Sequence, residues 1–151
     1  MTINHFPDKI GLAMADSFEK KCDEVKKIFS MLSAEERYKT LIEMGRKLPR
    51  YPDELKTADR LVRGCQSILY LSAKAASGKM FFEAAGDALI SVGLAALLIH
   101  LYSGEPPETI LTKPPACIEE LQIAASLSPH RSNGLSNIHL KMKQEALKVL
   151  I

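Results

Sequence analysis

The longest apolar run of the chain, residues 88–102, carries Leu89, Ile90, Val92, Leu94, Leu97, Leu98, Ile99 and Leu101 on nearly every side of a helix. A helix without a polar stripe has to be surrounded by other elements. The run is shorter than the roughly 20 residues that span a bilayer, so it reads as a core helix rather than a membrane segment. Gly93 lies within it, about 1 kcal/mol worse than alanine in a helix, and close packing against a sheet is the expected reason. The rest of the chain has to supply the shell around this helix. At 151 residues that shell fits one domain spanning 1–151, with residues 1–15 as a loose leader containing Pro7 and Gly11.

The shell is mostly helical. A first helix starts near Asp16 or Ser17 and runs through Val25, Ile28, Phe29 and Leu32, with Lys20, Lys21, Asp23, Glu24, Lys26 and Lys27 on its solvated face. Ser33-Ala34-Glu35-Glu36 is a capping box opening a second helix, with Tyr38, Leu41, Ile42 and Met44, which Pro49 and Pro52 stop. Residues 50–63 have no clear period and read as an extended loop. Residues 67–75 and 79–85 read as two strands joined at Ser77-Gly78, and Asp87 is the expected N-cap of the core helix. After Gly104 come a short helix to Leu111 and another over 116–127. A polar turn at 128–134 then leads to an amphipathic helix, 135–151, with Leu135, Ile138, Met142, Ala146 and Val149 on one side.

Charge excludes some partners. Twenty basic against eighteen acidic side chains give a net charge of +2, too balanced for nucleic acid or an anionic membrane as the main partner. The chain has no tryptophan and few aromatics, which leaves single-stranded nucleic acid few stacking platforms. Cys22, Cys65 and Cys117 are odd in number and far apart, without zinc-finger spacing to histidine, which argues against a disulfide framework and for a reducing, cytoplasmic setting. Cys22 lies within the first helix and reads as structural or incidental. Cys117 opens a helix beside Glu119 and Glu120, whose charges oppose a thiolate, and reads as inert. His5, His100, His130 and His139 are scattered, without metal spacing; His130 alone adjoins a polar turn and is a proton carrier or a surface residue.

Cys65 is different. Leu61-Val62-Arg63-Gly64-Cys65-Gln66-Ser67 places it on a glycine-flexed turn, with Arg63 two residues before it and a strand after it. Such a turn lets a thiol meet a partner, and nearby positive charge favours the reactive thiolate. Lys56, Arg60 and Arg63 on the approach read by default as a solvated face.

Three motifs in order resemble the SufE family, the sulfur acceptors of iron–sulfur cluster assembly, over roughly residues 33–150. They are Val62-Arg63-Gly64-Cys65-Gln66-Ser67, Asp87-Ala88-Leu89-Ile90-Ser91-Val92-Gly93-Leu94, and Leu127-Ser128-Pro129-His130-Arg131-Ser132-Asn133-Gly134-Leu135. The resemblance implies an α+β fold, a small curved antiparallel sheet flanked by helices, shared with the IscU scaffold. It further implies that Cys65 accepts a sulfur from a SufS-like cysteine desulfurase as a transient persulfide and stimulates that enzyme. The sulfur then passes to a SufBCD-type scaffold. Arg131 would lie near the loop and hold or activate it, and Arg63, Gly64, Gln66 and Ser67 would meet the partner. On this reading the chain is a persulfide carrier rather than a stand-alone enzyme, needs no cofactor or metal, and leaves a homodimer open. Tyr70 stands where the family commonly has tryptophan, Arg60 where an asparagine precedes the loop, and Gly86 where a serine precedes Asp87. The alternatives are an IscU-like cluster or metal scaffold, and a regulator that binds a desulfurase without carrying sulfur.

Overall fold

The computed structural model describes residues 17–123 and 129–151, the last stretch with side chains from Gly134 onward. Its elements are α1 (Ser17–Phe29), α2 (Ala34–Arg46), β1 (Leu69–Ala76), β2 (Lys79–Gly86), α3 (Leu89–Tyr102), α4 (Pro107–Thr112), α5 (Ala116–Leu121) and α6 (Pro129–Leu150). Two short 3-10 turns, Asp53–Leu55 and Ala58–Arg60, occupy the expected loop. The fold is α+β. The loose leader expected at 1–15 lies outside the described residues.

Helix α3 is central: α1, α2, α6 and β2 pack around it, and its leucines 94, 97, 98 and 101 are fully buried. Gly93 faces α2 rather than the sheet. A Cβ there would lie 2.4 Å from the Leu41 carbonyl oxygen. Gly45 answers from α2, where a Cβ would meet the Gly93 amide nitrogen at 3.0 Å. Two glycines facing each other bring the helix backbones together.

The sheet is an antiparallel hairpin, β1 with β2, registered Leu69 to Gly86 and Ala76 to Lys79. Ser77 and Gly78, with φ of 53° and 78°, make the positive-φ turn that suits the strand twist. Isolated bridges widen the sheet, Leu61 to Tyr70 on one edge and Met80 to Glu105 on the other. Met80, Phe82 and Ala84 face the core at period two, with Leu69 and Leu71 opposite. The other face is covered by part of the segment expected to run as a loop. Tyr51 is buried there, bonds Ser72 through its hydroxyl and stacks on Tyr70 at 6.3 Å.

The capping box forms as expected: the Glu36 amide donates to Ser33 Oγ at 3.2 Å and the Ser33 amide to Glu36 Oε1 at 2.8 Å. On α2, Leu41 and Met44 are buried but Tyr38 is 45% exposed. The helix expected over 116–127 ends at Leu121, because Gln122 turns left-handed and the Ile123 amide donates back to the Ile118 carbonyl. Burial of Ile123 favours that turn. Arg37 secures the same end, donating to the carbonyls of Leu121 and Phe29. Helix α6 begins at Pro129, so residues 129–134 are helical rather than a turn. Proline suits a first helical position, where no amide donor is needed. Leu135, Ile138, Met142 and Ala146 are buried as expected, whereas Val149 is exposed near the helix end.

Lys21, expected on the solvated face, is buried because it has an anion to meet. Its Nζ lies 2.7 Å from Glu105 Oε2 and donates to the Ser103 carbonyl, while Ser17 Oγ donates to the same carboxylate oxygen. This ties α1 to the edge of the sheet. Breaking a buried pair by removing one charge typically costs about 3–5 kcal/mol, whereas replacing both by apolar groups costs far less. Urea unfolding of Lys21→Met should therefore show a loss of that order, and Lys21→Met/Glu105→Leu a smaller one. A double-variant loss equal to the sum of the separate Lys21→Met and Glu105→Leu losses would mean that the charges act independently.

His100 on α3 is held neutral. Burial and then the nearby Lys21 ammonium push its pKa down to about 4. Burial also lowers His139, which stacks on Tyr102 at 5.0 Å. For a base whose pKa is depressed by folding, the stability is fully present above the unfolded value near 6.5. It is lost as pH falls from there towards the folded value. Acidification from pH 7 to pH 4 should thus remove about 3 kcal/mol through His100. His100→Gln should flatten that part of the urea-measured stability profile. An unchanged slope in the variant would contradict it.

Candidate functional site

The loop that carries Cys65 is closed at its neck by backbone bonds. The Val62 amide donates to the Leu69 carbonyl at 2.8 Å, beside the Leu61–Tyr70 bridge. Val62 is buried below it, and six residues, 63–68, make the excursion. Gly64 takes φ of +81°, the left-handed conformation that glycine adopts without a Cβ penalty. The glycine turn expected at Gly64 is therefore present. Cys65 is half-buried and packs against the edge of the core, a cysteine outside any disulfide and placed between shelter and solvent.

Three attachments hold the loop. Asp87, expected to cap α3, serves the loop instead: its Oδ1 accepts the Ile68 amide at 3.0 Å, and its own amide donates to the Ile68 carbonyl. Ala88 occupies the N-cap of α3 without a side-chain bond. Ser67, half-buried, shares a 2.9 Å hydrogen bond with Ser91 in the first turn of α3. On the far side, Asn137 of α6 lies against Gly64, where a Cβ would come within 2.4 Å of its Nδ2. Gly86 lets the two strand ends approach closely, since a Cβ there would lie 2.6 Å from the Ile68 carbonyl oxygen. The departure at Gly86 is thus accommodated by close backbone packing.

Of the residues singled out by sequence, Arg63, Gly64 and Gln66 are exposed at the loop tip and Ser67 faces α3. Arg131 falls in the first turn of α6, and its side chain, like those of His130, Ser132 and Asn133, lies outside the described residues. The basic approach has local partners, as the default reading holds: Lys56 pairs with Asp53 at 3.2 Å and Arg60 donates to Thr57 Oγ1 at 2.7 Å. Beside the loop is a hollow of about 280 Å³, lined by Leu61, Arg63, Asn137, Leu140 and Lys141 among others. Ile68 and Leu140, each about half exposed, give this side of the molecule apolar contact area.

Residues 23–146 match the SufE family model, described as an Fe-S metabolism associated domain. The chain belongs to the SufE family. It is 36% identical over 104 residues to the sulfur acceptor protein CsdE of Escherichia coli, covering 68% of this chain and 71% of that one. The cysteine desulfuration protein SufE of Wigglesworthia glossinidia brevipalpis is 33% identical over 144 residues, 90% and 96% of the two chains. An uncharacterized SufE-like protein of Synechocystis reaches 37% over 111 residues, 74% and 70%. The solution structure of a hypothetical protein from Thermus thermophilus superposes with a TM-score of 0.73 at 26% identity, over 86% of this chain and 96% of that one. Within this SufE-family fold, sequence reasoning missed Asn137 and the loop role of Ser91, and assigned Asp87 to the wrong partner. Only the spacing of Asp87 and Ser91 after the hairpin pointed to the latter two; nothing local marks Asn137. No described helix is long and apolar enough to cross a membrane.

Proposed function

We propose that this chain is a sulfur-acceptor protein, with Cys65 taking a sulfane sulfur from the persulfide of a cysteine desulfurase. The observation that carries the reading is the placement of Cys65: a half-buried cysteine outside any disulfide, on a glycine-turned loop whose neck is fixed while its tip is exposed. The printed roles of the relatives, a sulfur acceptor and a cysteine desulfuration protein, support it.

The chemistry is thiolate attack on a sulfur. The Cys65 thiolate attacks the terminal sulfur of the donor persulfide, the donor's S–S bond breaks, and the electron pair leaves with the donor's thiolate. A new S–S bond makes Cys65 the persulfide, with no net oxidation. Clearing the desulfurase cysteine is how the chain stimulates that enzyme. Arg63, Gly64, Gln66 and Ser67 present the thiol to the partner, Arg131 supports the loop, and no cofactor is required. A SufBCD-type scaffold receives the sulfur, in a reducing cytoplasmic setting. Among the described residues no three His, Cys, Asp or Glu side chains are grouped as a metal site would need.

Desulfurase turnover separates a carrier from a regulator that only binds. With cysteine as substrate, the wild type should raise alanine release several-fold, and Cys65→Ser should give no stimulation while still binding the enzyme. Full stimulation by Cys65→Ser would overturn the carrier role.

A further inference from the structure

We propose that Cys22 and Cys117 form a second thiol site, a pair that closes to an intramolecular disulfide when a hydroperoxide reaches it. The two residues come from α1 and α5, 95 positions apart, yet their sulfurs lie 3.0 Å from each other with Cys117 Sγ donating to Cys22 Sγ. Both are free thiols, and both are buried. A disulfide needs only about 1 Å of further approach to reach its length of roughly 2.05 Å. Two thiolates sharing a tetrahedral zinc at about 2.3 Å each would instead stand nearly 4 Å apart, so the geometry suits a bond better than a metal.

Access and polarity fit the same chemistry. A hollow of about 340 Å³ reaches both cysteines, with a rim of Glu19, Lys26, Lys113 and Glu120 that is well exposed. It is wide enough to admit a small oxidant such as hydrogen peroxide. The hydrogen bond from Cys117 draws Cys22 towards the thiolate, against its burial and the nearby carboxylates of Glu19 and Asp23. That same bond, with burial, pushes the Cys117 thiol up. The pair is thus polarised into an attacking sulfur and a resolving one.

The steps balance. The Cys22 thiolate attacks one peroxide oxygen, the O–O bond breaks, and hydroxide leaves and takes a proton from solvent, giving a sulfenic acid. Cys117 Sγ then attacks that sulfur, the S–O bond breaks, and the hydroxyl leaves as water with the Cys117 proton. Two thiols are oxidised by two electrons and one hydroperoxide is reduced.

The test uses Cys65→Ser, which leaves only this pair, and no desulfurase, so its failure is distinguishable from failure of the sulfur-acceptor reading. The folded variant is treated with one equivalent of hydrogen peroxide, quenched, denatured and alkylated with N-ethylmaleimide. The expected product is one chain about 2 Da lighter than the reduced form, without alkylation and reversed by dithiothreitol. A peptide joining residues 22 and 117 should appear on digestion, and the Tm should rise by roughly 10 °C. Adding Cys22→Ala or Cys117→Ala should abolish all three changes. Two alkylatable thiols after treatment, over-oxidation of one cysteine without the cross-link, or bonds between chains would each overturn the proposal.

Discussion

Gly93→Ala is expected to destabilise the protein by about 3 kcal/mol or more, at the top of the range for overpacking. The reason is what the added methyl would meet. The Leu41 carbonyl oxygen and carbon lie 2.4 and 2.7 Å from its position, and both belong to the α2 backbone. A side chain could rotate away; a helix backbone cannot yield without moving α2 as a body. Because α2 and α3 pack along much of their length, such a shift would open the core beneath Leu94 and Leu97 as well. A loss of that size lowers the Tm of a chain this long by around 10 °C. Gly134→Ala is the matched control, since nothing lies within 4 Å of its Cβ position and helix propensity favours alanine by about 1 kcal/mol. Thermal unfolding should separate the two in sign. A Gly93→Ala protein as stable as wild type would mean that the glycine contact between α2 and α3 is not close.

Gly64→Ala should have the largest effect on the site short of removing the thiol. At φ of +81° alanine costs about 1–2 kcal/mol. Its methyl would also displace the Asn137 amide, which occupies the same space. The steric part is the milder one, because Asn137 can turn away. The backbone part cannot be relieved, so the loop should shift and carry Cys65 with it. Sulfur uptake should fall tenfold or more, with a stability loss of about 2 kcal/mol. Adding Asn137→Ala should recover the steric share only, leaving uptake well below wild type. Full recovery in the double variant would assign the effect to Asn137 alone. The rate of Cys65 alkylation in the native protein gives an independent readout of its position.

These two glycines illustrate how far the sequence could be read. Gly64 before Cys65 announces a left-handed turn locally, because no other residue takes that conformation freely. The surroundings of Gly93 were not legible, since the helix that fills its space lies about fifty residues earlier and periodicity does not say which neighbour comes closest. The central position of α3, the Ser33 cap and the Ser77-Gly78 turn follow from short-range pattern, and the structure contains all three. Lys21 defeated that same logic: lysines beside other charged residues read as solvated, and only the fold brings Glu105 to it. Cys22 read as structural or incidental and Cys117 as inert for the same reason, since only the fold brings their sulfurs together. At the site, Cys65 itself stood out, whereas what holds its loop did not. Asp87 had the features of a helix cap but bonds across the hairpin to Ile68, and Asn137 reaches the loop only through the packing of α6.

The central claim is that Cys65 accepts sulfur, and intact mass tests it most directly. The protein is incubated with a cysteine desulfurase and cysteine, then measured with and without dithiothreitol, beside Cys65→Ser. Sulfur acceptance at Cys65 requires a gain of about 32 Da, one sulfur atom, that is removed by reduction, maps to the peptide containing Cys65 and is absent from the variant. A gain of the same size in Cys65→Ser, or none in wild type with a desulfurase that demonstrably binds it, would contradict it.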